Sequence, residues 1–255
     1  MSGEQVPGAV RALAALRVLA AHGPVPAAQL ARMLDLPRST TYHLLAAMIE
    51  QGFVVHLPEE RRYSLGVGAF EIGTAYTRQG PLQRLARPVL ARLVDNVGES
   101  AHLAVLHGRE VLYLIEERAA GRPPLVTDVG VRLPAHLTAS GRAMLAALPP
   151  AQVRALFSDR TAFVQREGGG PATLSQLRSV LRQTRSDGVA MEDGEVTPGF
   201  ASVASAVVDA SGLPVAAVAI TFETTRTPPE SRTHLATATT RAAQTLQHRL
   251  TGRRP

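Results

Sequence analysis

Arg38, Ser39, Thr40, Tyr42 and His43 could present hydrogen-bonding groups from one side of a single helix. A guanidinium, three hydroxyls and an imidazole spread over two turns suit base edges and phosphate oxygens in a nucleic-acid groove. Further along, Arg61 and Arg62 place two adjacent guanidiniums at the tip of a turn, where they can reach phosphates. A second constellation, His136 and Ser140 with the pair Glu192 and Asp193, hints at nucleophilic chemistry. Its spacing argues the other way. His136 precedes Ser140 by four residues where a helix begins, which does not by itself make a base–nucleophile hydrogen bond, and the chain has no Gly-x-Ser-x-Gly elbow. The eight histidines lack zincin spacing, His102 and His107 fall on opposite faces of one strand, and there is no cysteine to supply a thiolate. The sequence predicts no catalytic residue, no metal site and no cofactor.

The first group needs a scaffold. Val10, Leu13, Leu16 and Leu19 recur at three-residue steps and predict an amphipathic first helix, which His22-Gly23-Pro24 ends. Ala27 to Leu34 predicts a short second helix, with Leu30, Ala31 and Leu34 on one face. Asp35-Leu36 reads as a turn, and Pro37 suits the start of a third helix because its missing N–H would be unpaired there. In that third helix Leu44, Leu45, Met48 and Ile49 share a face with Thr41, opposite the polar group, although Ser39 also suits a cap. After Gly52, Phe53, Val55 and Leu57 are expected to alternate inward, with Tyr63 and Leu65 on the return strand beyond the turn Pro58 to Arg62. Helix, turn, helix and hairpin in this order describe a winged helix-turn-helix, whose second helix enters the DNA major groove. Three short helices with an accidental polar face form the competing description.

Composition bounds the rest. A chain of 255 residues with 45% hydrophobic content can hold one large domain or two modest ones. No apolar run approaches the roughly 20 residues that span a bilayer, and no signal peptide is evident, so a cytoplasmic location without membrane contact is expected. The formal net charge of +6 supports DNA binding only weakly. Residues 1–80 hold seven Arg against six Asp and Glu, so the DNA-reading segment is nearly neutral. All 27 basic residues are Arg, which reads as a compositional bias of the genome more than as a nucleic-acid signature.

Gly66 to Gly80 reads as a linker helix whose Phe70 and Tyr76 need cover, from a second subunit or from the same domain. Leu82 to Val97 predicts another helix. From Ser100 the pattern changes to strands: HLAVLHG and VLYLIEER around a glycine-containing turn, then Pro124 to Val129. Helices are predicted over His136 to Leu148, from Gln152 and over Thr173 to Ser186, with Gly168-Gly169-Gly170-Pro171 as loop. Phe200 to Asp209 and Pro214 to Phe222 predict two long strands, and a last helix runs from about Pro229 to Leu250. The expectation is an α+β domain, its sheet covered by helices on one side.

With these motifs in place the chain resembles the IclR family of bacterial transcriptional regulators. LPRSTTYHLLAAMIEQGFV is similar to that family's recognition helix, and RRYSLG to its exit into a linker helix. LPAHLTASGRAMLAALP, from Leu133, and GVAMEDGEVTPGFASVASAVVDASGLPVAAVAI, from Gly188, resemble its effector-binding domain of GAF-like fold. The implied organisation is a winged helix-turn-helix over residues 1–65, a linker helix over 66–80 and an effector-binding domain over 81–255. By position the resemblance implies an effector pocket at Leu133, Ala139, Ser140, Glu192, Asp193, Phe200, Ser202 and Thr221. It is formed by the start of the LPAHLTASG helix, the acidic loop before the long strands, and the strands themselves. A helix N-terminus at Ser140 would favour a carboxylate, Phe200 and Leu133 would give apolar walls, and Ser202 and Thr221 orienting hydroxyls. Three departures stand out. His43 occupies a position where many members carry Arg, Ser202 one where members often carry Cys, and Ala206 one where they often carry Pro.

The reading these features support is a DNA-binding regulator. A homodimer, or a tetramer built from it, reads a palindromic double-stranded operator, and a small organic acid modulates its affinity. An enzyme with a DNA-docking module, and a nucleoid-type DNA-binding protein without ligand, are the alternatives.

Overall fold

A computed structural model describes residues 7–79, 81–167 and 169–251, without the side chains of residues 74–79 and 81. The expectations placed on Tyr76, Gly80 and Gly168 therefore lie outside the described residues. The chain divides into two compact units, Met1–Gly80 and Pro81–Pro255. Among the described residues no helix is long and apolar enough to cross a membrane.

In the first unit α1 (Pro7–His22), α2 (Ala27–Met33) and α3 (Arg38–Glu50) precede the hairpin β1 (Val54–Leu57) and β2 (Arg62–Leu65), and α4 (Val67–Gln79) follows. The core is Ala15, Leu19, Val25, Leu30, Leu45, Met48 and Val54. Two sequence expectations are corrected here. Of the stripe on α1, Leu19 is buried but Val10 and Leu13 are 52% and 59% exposed. Three-residue steps rotate about 60° backwards each time on a 3.6-residue helix, so Val10 ends up opposite Leu19. The register of β1 is also shifted by one: Val54 is buried, while Val55 faces solvent. Gly52, at φ +73°, and Phe53 belong to the end of α3, where the Phe53 N–H donates to Met48 O at 2.9 Å. Phe53 is thus used in the helix cap, and a one-residue offset turns every strand side chain to the other face. Gly66 has a fixed reason to be glycine, since a Cβ there would sit 2.3 Å from the Gly52 carbonyl oxygen.

The second unit is a six-stranded sheet of order β5-β4-β3-β8-β7-β6, antiparallel at every pairing. Its strands are β3 (Ser100–His107), β4 (Glu110–Glu117), β5 (Arg132–Pro134), β6 (Ala190–Asp193), β7 (Phe200–Val208) and β8 (Pro214–Glu223). Helices cover both faces, which corrects the one-sided expectation. Leu103, Val203, Val218, Ile220 and Phe222 point to α5 (Pro81–Val97) and α9 (Pro229–Thr251). Ala104, Ala204, Ala217 and Ala219 point the other way, towards α6 (Ala139–Ala147), α7 (Pro150–Leu156) and α8 (Leu174–Asp187). Strands buried on both sides read as continuous apolar runs, so alternation does not reveal the second layer. The alanines on this face let α6 come close: every residue from Ala139 to Ala146 is buried.

Candidate functional site

In the first unit α3 presents the polar face that the sequence predicts. Thr41, Leu45 and Met48 are buried, and Arg38, Ser39, Tyr42 and His43 are exposed, with Thr40 half-buried. Asp35, at φ +50°, turns the chain between α2 and α3, and the Leu36 N–H donates to Ala31 O at 2.9 Å. Pro37 stands just before the helix, not in its first turn. Among the described residues Arg38 and Arg61 make no ion pair, so both guanidiniums are available to phosphates. Arg61 sits at the wing tip in the left-handed region, φ +54°. Arg62 leans back, its Nη1 3.5 Å from Pro24 O. His56 stacks on Tyr63, ring centroids 4.6 Å apart, and so stiffens the wing.

In the second unit a cavity of about 60 Å³ lies between the alanine face of the sheet and the start of α6. Space for a water is roughly 10–15 Å³ on this measure, so it takes a few waters or a small molecule. Six of the residues implied by the resemblance line it: Ala139, Ser140, Glu192, Phe200, Ser202 and Thr221. Two do not. Leu133, on β5, is packed in the core beneath α6. Asp193 alternates away from Glu192 on β6 and pairs with Arg232 Nη1 at 2.9 Å. The acidic segment is an edge strand, so only every second carboxylate can face the cavity. The stretch Pro124 to Val129 is not a strand either. Residues 124–127 form an irregular cover over the cavity, and the short strand lies later, at Arg132–Pro134. His102, Tyr113, Thr127 and Thr197 also line the cavity; the sequence marks none of them as an effector contact, and His102 enters there only as a possible metal ligand.

Register explains the polar lining. Glu192 pairs with Ser202, Ser202 with Thr221, and Thr221 with Ser100, so one row of polar residues crosses four strands. Within it the Ser202 hydroxyl donates to Glu192 Oε1 at 2.8 Å and lies 3.0 Å from Thr221 Oγ1. Glu192 is 4% exposed, and burial, helped by the nearby Glu195, pushes its carboxyl up to about 7 against the hydrogen bond from Ser202. Burial and Arg118 hold the His102 imidazole down at about 4. Burial also raises the Tyr113 phenol, which stays protonated. Thr138 caps α6, accepting from the Gly141 N–H at 3.0 Å, and the first-turn N–H groups at Ala139 and Ser140 have no carbonyl to bond within the helix. The cavity thus offers a helix N-terminus, several hydroxyls and a proton-bearing carboxyl, with no cationic side chain among its lining residues. An anion placed there would meet dipoles and no cationic side chain.

His136 and Ser140 do not form a catalytic pair. His136 Nε2 donates to Val164 O at 2.9 Å, its ring is wedged against Phe157 and Phe163, and Ser140 Oγ makes no hydrogen bond.

The raised Glu192 pKa has a testable consequence. A folded-state carboxyl titrating above its unfolded value gives stability that is complete below about pH 4.5 and lost as the pH rises through about 7. The Glu192→Gln variant is expected to flatten that segment of the stability-versus-pH curve and to exceed the parent in stability at pH 8. Urea unfolding at pH 5, 6, 7 and 8 checks this, and parallel curves for both proteins would count against it.

Comparison with known proteins gives consistent matches. A sequence model described as "Bacterial transcriptional regulator IclR C-terminal" matches residues 74–248, and one described as "IclR helix-turn-helix domain" matches residues 8–58. The chain is 34% identical to the glycerol operon regulatory protein of Streptomyces coelicolor, over 83% of this chain and 82% of that protein. It is 30% identical to the transcriptional repressor IclR of Escherichia coli strain K12, over 85% of this chain and 80% of that protein. Among solved structures, an IclR homolog from Microbacterium hydrocarbonoxydans complexed with 4-hydroxybenzoate superposes with a TM-score of 0.79 at 22% identity. That match covers 95% of this chain and 98% of the other.

Proposed function

The chain belongs to the IclR family of bacterial transcriptional regulators, and we propose that it is a ligand-responsive member, binding a palindromic operator as a dimer and releasing or tightening on it when a small carboxylate occupies the cavity beside α6. One observation carries the reading. The same chain combines an exposed hydrogen-bonding helix face in a winged unit with a buried polar cavity at a helix N-terminus in the other unit.

Arg38, Ser39, Thr40, Tyr42 and His43 read the major groove, and Arg61 and Arg62 hold the flanking phosphates. Two recognition helices about 34 Å apart are needed to read successive major grooves, which a dimer supplies. The first unit carries the surface for it: Val10 and Leu13 on α1 and Val67, Phe70 and Ile72 on α4 are exposed apolar side chains, and a second copy would cover them. The effector acts by preferring one conformation, with a typical coupling of about 1–3 kcal/mol. The 4-hydroxybenzoate complex of the Microbacterium homolog supports an acid as the ligand class. Leu133 and Asp193 fall outside the cavity, so the effector contacts are assigned to Ala139, Ser140, Glu192, Phe200, Ser202 and Thr221.

A footprint of the protein on the DNA upstream of its own gene is expected to protect one palindrome, with protection altered by a short carboxylic acid. Arg38→Ala is expected to weaken binding to that site by about 1–3 kcal/mol, roughly 5- to 150-fold. Unchanged affinity and sequence preference in the variant would remove Arg38 from the interface. The absence of any protected palindrome would sink the regulatory reading as a whole.

A further inference from the structure

The cavity has a second polar pole that the implied effector contacts do not use. On the cavity face of the sheet, the row next to Glu192–Ser202–Thr221 runs Ala190, Ala204, Ala219, His102. The row after that runs Ala206, Ala217, Ala104, Tyr113. The two alanine rows therefore lead, on neighbouring strands, to the two polar rings of this face, and the His102 row continues to Glu116 on β4. The ring centroids are 5.8 Å apart, edge to face. The small alanine side chains bring α6 close to the sheet, and the cavity of about 60 Å³ is the space left beside the two rings.

His102 is fully buried, yet its hydrogen bonding is half complete. Nε2 lies 3.3 Å from Thr127 Oγ1 in the cover segment, and Nδ1 has no partner. Ser140 Oγ, in the first turn of α6, is likewise buried and unpartnered, lying toward the Tyr113 phenol without a well-formed hydrogen bond to it. Buried polar atoms without partners are rare in folded proteins and cost free energy until something bonds them. Both belong to residues lining one cavity. Of the carboxyl groups near His102, Glu192 shares the cavity lining without a hydrogen bond to it, Glu116, its cross-strand partner, is paired with Arg118, and Arg118 opposes protonation of the imidazole. His102 therefore meets a ligand as a neutral imidazole through one free nitrogen, Nδ1, which is donor or acceptor by tautomer, and a hydroxyl satisfies it in either case.

Resting on the reading of this cavity as an effector site, we infer that His102 is a specificity-determining residue and that the effector is a small hydroxy monocarboxylic acid. Its carboxylate sits at the α6 N-terminus beside Ser140, and its hydroxyl at His102. The cavity of about 60 Å³ restricts the effector to a few carbons, so short 2- and 3-hydroxy acids are the ones to test. A dicarboxylate is disfavoured by the absence of a cation in the lining.

Matched pairs of acids test this on the full chain: lactate against propionate, and 3-hydroxybutyrate against butyrate, each titrated by calorimetry at pH 6.5. The hydroxylated member of at least one pair is expected to bind at least about tenfold more tightly, the cost of leaving a buried group unpaired. His102→Leu should bring the two members within about twofold of each other. His102→Gln, which keeps a donor and an acceptor, should retain part of the preference and guards against a folding defect in the leucine variant. Equal binding of both members to the parent protein, or an unchanged preference in His102→Leu, would overturn the role of His102 while leaving the cavity as an acid site. Binding of neither pair would overturn the inference together with the short-acid reading of the cavity.

Discussion

Replacing Arg142 by methionine is expected to cost the second unit about 3–5 kcal/mol, lowering its thermal midpoint by roughly 6–20 °C. Its side chain is 4% exposed, and three of its nitrogens are committed. Nε donates to His136 O at 2.9 Å, Nη1 to Met191 O at 2.8 Å and Nη2 to Glu195 Oε1 at 2.8 Å. One guanidinium on α6 thus fastens the turn before that helix, the edge strand β6 and the loop after it, the segments that shape one end of the cavity. Methionine fills similar volume but leaves two carbonyls and the Glu195 carboxylate without their donor. Most of the cost is the unpaired charge, because a buried ion pair replaced as a whole is often neutral in stability. The Arg142→Met, Glu195→Met double variant should therefore recover a large part of the loss. Calorimetric unfolding of the three proteins checks it. A single variant within 1 kcal/mol of the parent would mean that the contacts reorganise in water.

Neither half of that clamp is legible as such in the chain. Arg142 and Glu195 are 53 residues apart, and nothing local joins them. The first unit, by contrast, is readable because its signals are local. Thr41, Leu45 and Met48 recur at helical spacing with polar residues opposite, and α3 follows directly. The errors there are errors of phase. Three-residue steps look periodic, but they drift around a helix, which is why Leu19 is core and Val10 is not. Phe53 looks like a strand residue, but its N–H closes the end of α3.

In the second unit the elements were legible and their assembly was not. The strands β7 and β8 announce themselves by apolar content, but the polar row from Glu192 to Ser100 exists only once four strands are in register. Asp193 and Glu192 are equivalent in sequence, and the pleat of β6 alone assigns one to the cavity and the other to Arg232. His102 and Tyr113 carried a usable signal, as polar rings within otherwise apolar strands, and buried polar groups require an account. Pro124 to Val129 misled because β-branched residues suggest a strand. Arg122 ties the preceding turn to Gly98 O at 3.0 Å, and Thr127 reaches His102, so the segment is held by side chains and not by a ladder.

Gly141→Ala is expected to be as damaging as the loss of Arg142, although it adds a single methyl group. A Cβ at position 141 would lie 2.2 Å from the Ala135 carbonyl oxygen and 2.4 Å from its Cα. Those are backbone atoms of the turn feeding α6, and no side-chain rotation relieves the clash. The helix must move away from the turn, and it is buried along its whole first two turns. Overpacking a dense core costs typically 1–3 kcal/mol, and a backbone clash belongs at or beyond the upper end, about 3 kcal/mol or more. The same substitution at Gly8, in α1, meets nothing within 4 Å and should be neutral or stabilising by up to about 1 kcal/mol. The Gly141 N–H also donates to the Thr138 cap, so displacement of α6 shifts Ser140 and the free N–H groups on which an acid would rest. Gly141→Ala should consequently lose its response to any acid that alters operator binding by the parent, while operator binding without acid persists. Thermal unfolding of both glycine variants, with footprints taken well below the lower midpoint, measures the two effects. An alanine at 141 with parental stability and an intact acid response would show that the turn at Ala135 yields, and that α6 is not held at its closest approach to the backbone.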